Sequence, residues 1–224
     1  MDRFILTDRQ EGGQRLAEEL KKQDISSKDL VVLALPRGGV VLAEEIAKLF
    51  KVSFDVLVVR KIGTPFNPEL AIGAIAEGNV KVIDESAMAR LRVSPMYLQT
   101  IIERESAELA RRIKKYRSDR PLPNLSGKNV ILVDDGLATG FTVSAAIKAV
   151  EKHKPSSIRV ASPICSRRTA HTIKDLAELF CLYIPPEMSA IGAYYQNFDQ
   201  VTDQEVLEIL ARSRADRNNQ EQVS

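Results

Sequence analysis

The chain has 224 residues, 44% of them hydrophobic and 28% charged, enough for one sizeable core. Its 32 Lys and Arg against 30 Asp and Glu leave a net charge of +2, too little for the one-signed field of a duplex-binding or membrane-surface protein. No apolar run approaches the roughly 18 residues of a membrane span and the start, MDRFILTDRQEGGQ, has no signal-peptide core, so a cytoplasmic protein is expected, with no nucleic-acid or membrane partner.

Val31–Leu35 is a nearly continuous apolar run and reads as a strand buried on both faces. Val40–Phe50 has helical spacing, and Phe54–Val59 reads as a second strand. Leu70–Glu77 and Val80–Asp84 flank Gly78-Asn79, the signature of a hairpin with a tight turn. Ser94-Pro95 opens a long helix to about Tyr116, with Leu98, Ile101, Ile102, Leu109 and Ile113 on one face. The Pro-containing stretch Arg120–Gly127 is too short to divide the chain, so residues 1–224 are read as a single domain.

Val130–Val133 predicts another strand, followed by a helix whose inner face carries Val143, Ala146, Ile147 and Val150. Ile158–Ala161 and Leu179–Ile184 predict the last strands, with a helix over Ser166 and Thr169–Ala177 between them. Thr202-Asp203-Gln204-Glu205 is a capping box ahead of a final helix bearing Val206, Leu207 and Leu210. The polar tail after Arg212 is expected to fray. Strands alternating with helices of this length imply right-handed βαβ units. The expected fold is therefore α/β and doubly wound: a mostly parallel sheet of about five strands with flanking helices.

Cys165 and Cys181 fit no metal spacing and read as buried thiols, and His153 and His171 read as surface residues of helices. The chemistry is concentrated in Val130-Ile131-Leu132-Val133-Asp134-Asp135-Gly136-Leu137-Ala138-Thr139-Gly140-Phe141-Thr142. A buried strand there delivers two adjacent carboxylates at its carboxyl end, where open parallel sheets bind ligands. Gly136, Ala138 and Gly140 let backbone N–H groups approach an anion, Thr139 and Thr142 add hydroxyls, and a helix begins at once. Such a loop suits a phosphate monoester. Two vicinal carboxylates can each accept hydrogen bonds from neighbouring ribose hydroxyls. Phosphate and diol together describe a ribose 5-phosphate. The plainer alternative is that Asp134 and Asp135 only cap a helix, which would not call for two acids and a run of small or hydroxylated residues.

This segment resembles the signature of type I phosphoribosyltransferases, enzymes that hold 5-phosphoribosyl-1-diphosphate (PRPP). The resemblance implies that Asp134 and Asp135 hold the ribose hydroxyls, and that Ala138, Thr139, Gly140, Phe141 and Thr142 hold the 5-phosphate. Leu35-Pro36-Arg37-Gly38-Gly39-Val40 is similar to the family's diphosphate loop, with Arg37, Gly38 and Gly39 at the diphosphate and a Pro36–Arg37 peptide bond that in the family is often cis. Val59–Glu69 resembles the mobile loop that closes over PRPP, from which Lys61 or Arg60 would reach the departing diphosphate. The run PFNPELAIGAIAEG also resembles a group of bacterial phosphoribosyltransferases without an assigned substrate.

The resemblance further implies a mechanism: the C1–diphosphate bond loosens while Mg²⁺, Arg37, Lys61 and backbone amides stabilise the leaving group, and Asp134 and Asp135 lie beneath the cationic ribose. Mg²⁺ is expected to ride on PRPP rather than in a protein cage. The acceptor, a nucleobase or another nitrogen nucleophile, is open. Ala138 stands where the hypoxanthine-guanine enzymes have an acid, and the Ala-Thr-Gly form is similar to that of adenine-type and several other members. Ile184–Gly192 loosely resembles the base-binding segment of the hypoxanthine-guanine group, but Ser189 replaces its aromatic and Gln196 its acid. Tyr194, Tyr195 and Phe198 either face a base or pack a small hood onto the sheet. The oligomeric state, a homodimer included, is open too. Two rivals remain: a PRPP-sensing regulator, for which no basic face or helix-turn-helix is evident, and a PRPP-making relative, for which there is no ATP loop.

Overall fold

The computed structural model describes residues 4–23, 25–68, 70–118 and 120–221, with side chains described as far as Ala215. Five segments, the central ones Val-, Ile- and Leu-rich and buried on both faces, pair side by side in parallel: β1 (Leu30–Ala34), β2 (Phe54–Val56), β6 (Asn129–Val133), β7 (Ser157–Ile164) and the half-buried edge strand β8 (Glu178–Tyr183). Their spatial order is β2-β1-β6-β7-β8. Ala34 lies opposite Val56 on one side and Val133 on the other, so the carboxyl ends of β1, β2 and β6 are level.

Helices cover both faces, as the alternating pattern predicts. On one face α1 (Arg9–Lys21), α2 (Gly39–Phe50) and α7 (Asp203–Glu221) bury Leu16, Leu20, Leu42, Ile46, Val206 and Leu210 in one cluster. On the other, α5 (Phe141–Glu151) and α6 (Arg167–Lys174) bury Val143, Ala146, Ile147, Val150 and Ile173 against Leu33, Val130, Leu132 and Val160. α7 continues through the polar segment after Arg212 as far as Glu221 and so is longer than expected; residues 222–224 lie outside the described residues. Neither α1 nor the short α3 (Glu85–Arg90) was expected.

The run Phe54–Val59 is not one strand. Leu57 donates its N–H to the Ala34 carbonyl, the last link to the main sheet, and the chain then enters β3 (Val59–Gly63), which pairs antiparallel with β4 (Ala71–Ala76). β4 pairs in turn with β5 (Val80–Ile83), giving a separate three-stranded sheet. Burial is continuous across the break, with Val56, Leu57 and Val58 all fully buried, so hydrophobicity alone does not reveal the change of partner. The crossing is fixed by Glu77, whose Oε1 accepts the Val58 N–H at 2.7 Å while its Oε2 pairs with Arg117. The hairpin closes where Gly78 and Asn79 take φ of 73° and 57°. One face of this small sheet packs on α5; the other, with Ile62, Ile72 and Ile75, receives Ile101 and Ile102 of α4 (Pro95–Arg117). No helix among the described residues is long and apolar enough to cross a membrane.

Candidate functional site

β1 and β6 are neighbours, yet the chain leaves them in opposite directions, through α2 to β2 on one side and through α5 to β7 on the other. The loops that follow them therefore diverge and leave a crevice at the carboxyl edge. An α-helix exposes N–H groups in its first turn that need a partner. α1, α3, α4, α6 and α7 satisfy theirs with the side chains of Asp8, Asp84, Ser94, Ser166 and Thr202. α2 and α5, which begin at the crevice, have no side-chain cap. Both crevice helices thus present backbone donors and the positive end of the macrodipole.

The loop after β6 contains the paired acids. Asp134 accepts the Asp135 N–H at 2.9 Å, and Asp135 accepts Arg9 Nε at 2.7 Å. Burial, and then the negative charge of Asp135, push the Asp134 carboxyl well above the usual carboxylate range. Downstream, two hydroxyls donate to one carbonyl: Ser166 Oγ and Thr169 Oγ1 reach Ala138 O at 2.6 and 2.7 Å. With that carbonyl held towards α6, Thr139 remains exposed, Phe141 and Thr142 are half-buried, and Gly140 turns into α5 at φ 81°. A side chain at Gly140 would be strained there and would approach Thr169 Cγ2 to 3.0 Å.

The loop after β1 lies against this one. The Pro36–Arg37 peptide bond is cis, as the resemblance implies. A Cβ on Gly38 would come within 1.8 Å of Asp135 Oδ2, and one on Gly39 within 2.4 Å of Val133 O. Both glycines thus admit the neighbouring loop as well as exposing amides. Arg37 is directed at the start of α7, with NH1 3.9 Å from Asp203 Oδ1.

The segment that resembles the loop closing over PRPP begins within a strand. Arg60 and Lys61 lie within β3, opposite Ile75 and Ala74, where ladder hydrogen bonds fix the backbone. Their side chains diverge because a strand alternates its faces. Arg60 is bound on the α4 side by Glu105, at 2.7 and 2.8 Å, whereas Lys61 shares the face of Val59, the one turned to α5. The connection beyond is held at Thr64, whose Oγ1 donates to Asn67 O, and it leaves Phe66 84% exposed; Glu69 lies outside the described residues.

A protein-family model, the phosphoribosyl transferase domain, matches residues 6–187. The chain belongs to that family. It is 38% identical over 213 residues to a Mycobacterium tuberculosis H37Rv protein with a provisional phosphoribosyl transferase name, covering 95% of this chain and 48% of that one. The chain therefore spans about half the length of the curated relatives it matches most extensively. TT1426 from Thermus thermophilus has a crystal structure that superposes with a TM-score of 0.76 at 39% identity, over 93% of this chain and 98% of that one. AQ2163 from Aquifex aeolicus, at 15% identity and a TM-score of 0.51 over 79% and 74% of the two chains, shares the fold.

In this phosphoribosyl transferase domain the C-terminal aromatics are largely engaged in packing. Tyr195 is 6% exposed, donates its hydroxyl to Asp135 O at 2.7 Å and stacks on Phe198 with centroids 4.8 Å apart. Phe198 carries the Arg9 guanidinium 3.9 Å above its ring, while Tyr194 is tilted against Tyr183. Sequence reasoning missed Arg9, which joins Asp135, Asp199 O and Phe198. Its signal was present: Asp8 and Glu11 at capping spacing, then Leu16, Ala17 and Leu20 on one face of α1. Cys165 is buried and Cys181 half-buried; burial pushes their thiols up to about 12 and about 11. His153 and His171 are exposed, His171 on α6 as expected and His153 in the turn just after α5 rather than on the helix. Among the described residues, no three His, Cys, Asp or Glu side chains are grouped to hold a metal ion.

Proposed function

We propose that this domain binds PRPP as its Mg²⁺ complex and transfers ribose 5-phosphate to a nitrogen nucleophile, releasing diphosphate. The observation that carries the reading is the pairing of uncapped helices at one crevice: α5 begins at Phe141, in the loop that carries the carboxylates, and α2 opens beside them. A substrate with a monoester at one end, a diol in the middle and a diphosphate at the other matches that order.

In this reading the amides of Ala138–Thr142 hold the 5-phosphate, and Asp134 and Asp135 accept the ribose hydroxyls. The amides of Gly38 and Gly39 receive the diphosphate, with Arg37 turning from Asp203 towards it. Lys61, set on a paired strand facing α5, supplies a cation already placed when PRPP arrives. The bond between ribose C1 and the diphosphate oxygen breaks, one between C1 and the acceptor nitrogen forms, and the acceptor loses a proton. Mg²⁺ enters with PRPP and neutralises part of the diphosphate charge. The two free thiols support a cytosolic location.

The test is to incubate the protein with PRPP, Mg²⁺ and a panel of nucleobases, orotate and amines, and to follow diphosphate. Release that depends on one acceptor class supports transfer. PRPP binding without release under any acceptor would assign the chain to sensing, and absence of both would end the reading.

A further inference from the structure

A second cavity, of about 670 Å³, opens on the far side of the molecule. It is lined by Leu30 and Phe54, the first residues of β1 and β2, and so lies at the amino edge of the sheet, about 17 Å from the crevice along a five-residue strand. Its volume is within the range of small-molecule sites.

The charges around it are unbalanced. Its titratable lining residues are Lys28, Arg120, Arg214 and Asp55. Arg120 Nε donates to Arg117 O at 3.1 Å and an Arg214 terminal nitrogen to Tyr116 O at 3.0 Å, so one N–H of each is anchored to backbone at the cavity wall. No carboxylate among the described residues forms an ion pair with Lys28, Arg120 or Arg214. Asp29, beside Lys28, is bound by Lys128 at 2.7 Å, and Asp55 accepts the Val56 N–H at 2.8 Å. Burial and the proximity of Arg120 both lower the Arg214 pKa and outweigh Asp55, so the two cations repel each other in a partly dehydrated place. Three cations thus converge on the cavity against one carboxylate, Asp55; like charges gathered in this way are stabilised when an anion bridges them, and guanidinium groups match phosphate geometry.

We propose that this cavity is a second anion site, distinct from the crevice, which takes a phosphorylated small molecule between Lys28, Arg120 and Arg214. Apolar walls at Leu30, Phe54, Val52 and Pro123 leave room for an organic body beyond the phosphate.

Calorimetric titration with inorganic pyrophosphate tests it, on the full chain, in the wild type and in the Lys28→Gln/Arg120→Gln variant. Both residues are exposed and outside the crevice, and Arg120→Lys serves as the conservative control. The expected result is two sites per chain in the wild type and one in the double variant, the remaining site within about twofold of its wild-type affinity, and two again in Arg120→Lys. One wild-type site that the double variant removes would uphold the cavity and count against the crevice. Wild-type stoichiometry that survives the double substitution, or no pyrophosphate binding at all, would overturn the proposal.

Discussion

Gly38 takes φ −59°, a conformation open to every L-residue, so what the position requires is space. Alanine there must displace the Asp135 carboxylate or the Arg9 guanidinium, whose Nε would lie 2.8 Å from the new Cβ. We predict that Gly38→Ala lowers stability by about 1–3 kcal/mol, the usual range for overpacking, and weakens PRPP binding through the displaced carboxylate. Denaturant unfolding and a PRPP titration check both; an unchanged variant would show that the two loops separate freely. Asp134 bears on stability differently. Its carboxyl is raised, so in the window from the unfolded value of about 3.9 up to the folded one the native state holds more protons than the unfolded, and stability falls as pH rises. Asp134→Asn removes that contribution. Its stability relative to wild type is expected to grow as pH rises through that window and then level off, and urea unfolding from about pH 4.5 to 8 would show a flat difference if the carboxyl were not raised. Sequence singled out both residues as ligands of the phosphorylated sugar, but the contact between Gly38 and Asp135, and Arg9 behind them, are tertiary facts from segments up to 126 residues apart.

At the scale of elements, the crevice depends on what is left uncapped and on what is tied down. Ser166 caps α6 through the Thr169 N–H, at 3.2 Å, and donates to Ala138 O, so one hydroxyl links the phosphate loop to a helix. Ser166→Ala combined with Thr169→Val removes both donors to that carbonyl. We predict a stability loss of about 1–3 kcal/mol, from a lost cap and an unsatisfied carbonyl, together with a higher KM for PRPP. Steady-state kinetics with the identified acceptor checks the second part: an unchanged KM would mean that α6 does not position the loop. Capping signals and helical spacing made α4, α5, α6 and α7 legible in sequence, and Gly78-Asn79 between two apolar runs did the same for the hairpin. β3 was not legible, because Arg60-Lys61 looks like a solvated strand end until Glu105 of α4 is brought opposite. A cation on a paired strand acts on bound substrate and transition state alike, so Lys61→Ala is expected to lower kcat/KM by about 10–100-fold, the loss of one charge-assisted hydrogen bond. A change in kcat alone would show instead that Lys61 acts only once its segment has closed over PRPP.

For the whole molecule, the strand order decides where chemistry can occur. Alternating buried runs indicated a doubly wound sheet, but not that β1 and β6 would be the neighbours from which the chain diverges; pairing order is set by packing of α1, α2 and α7 on one face and α5 and α6 on the other. That order brings two motifs almost 100 residues apart into one crevice with Asp134 and Asp135 between two uncapped helices. The hood was only partly legible, since the partners of Tyr195 and Phe198 come from the loop after β6 and from α1. The crevice is tested most directly by calorimetric titration of Mg²⁺–PRPP into the wild type and Asp135→Asn, with circular dichroism confirming that the variant is folded. Binding at the crevice is expected in the wild type, with affinity at least about tenfold lower in the variant, as the loss of charge-assisted hydrogen bonds to ribose requires. Equal affinity in the two proteins, or no binding by the wild type, would contradict it.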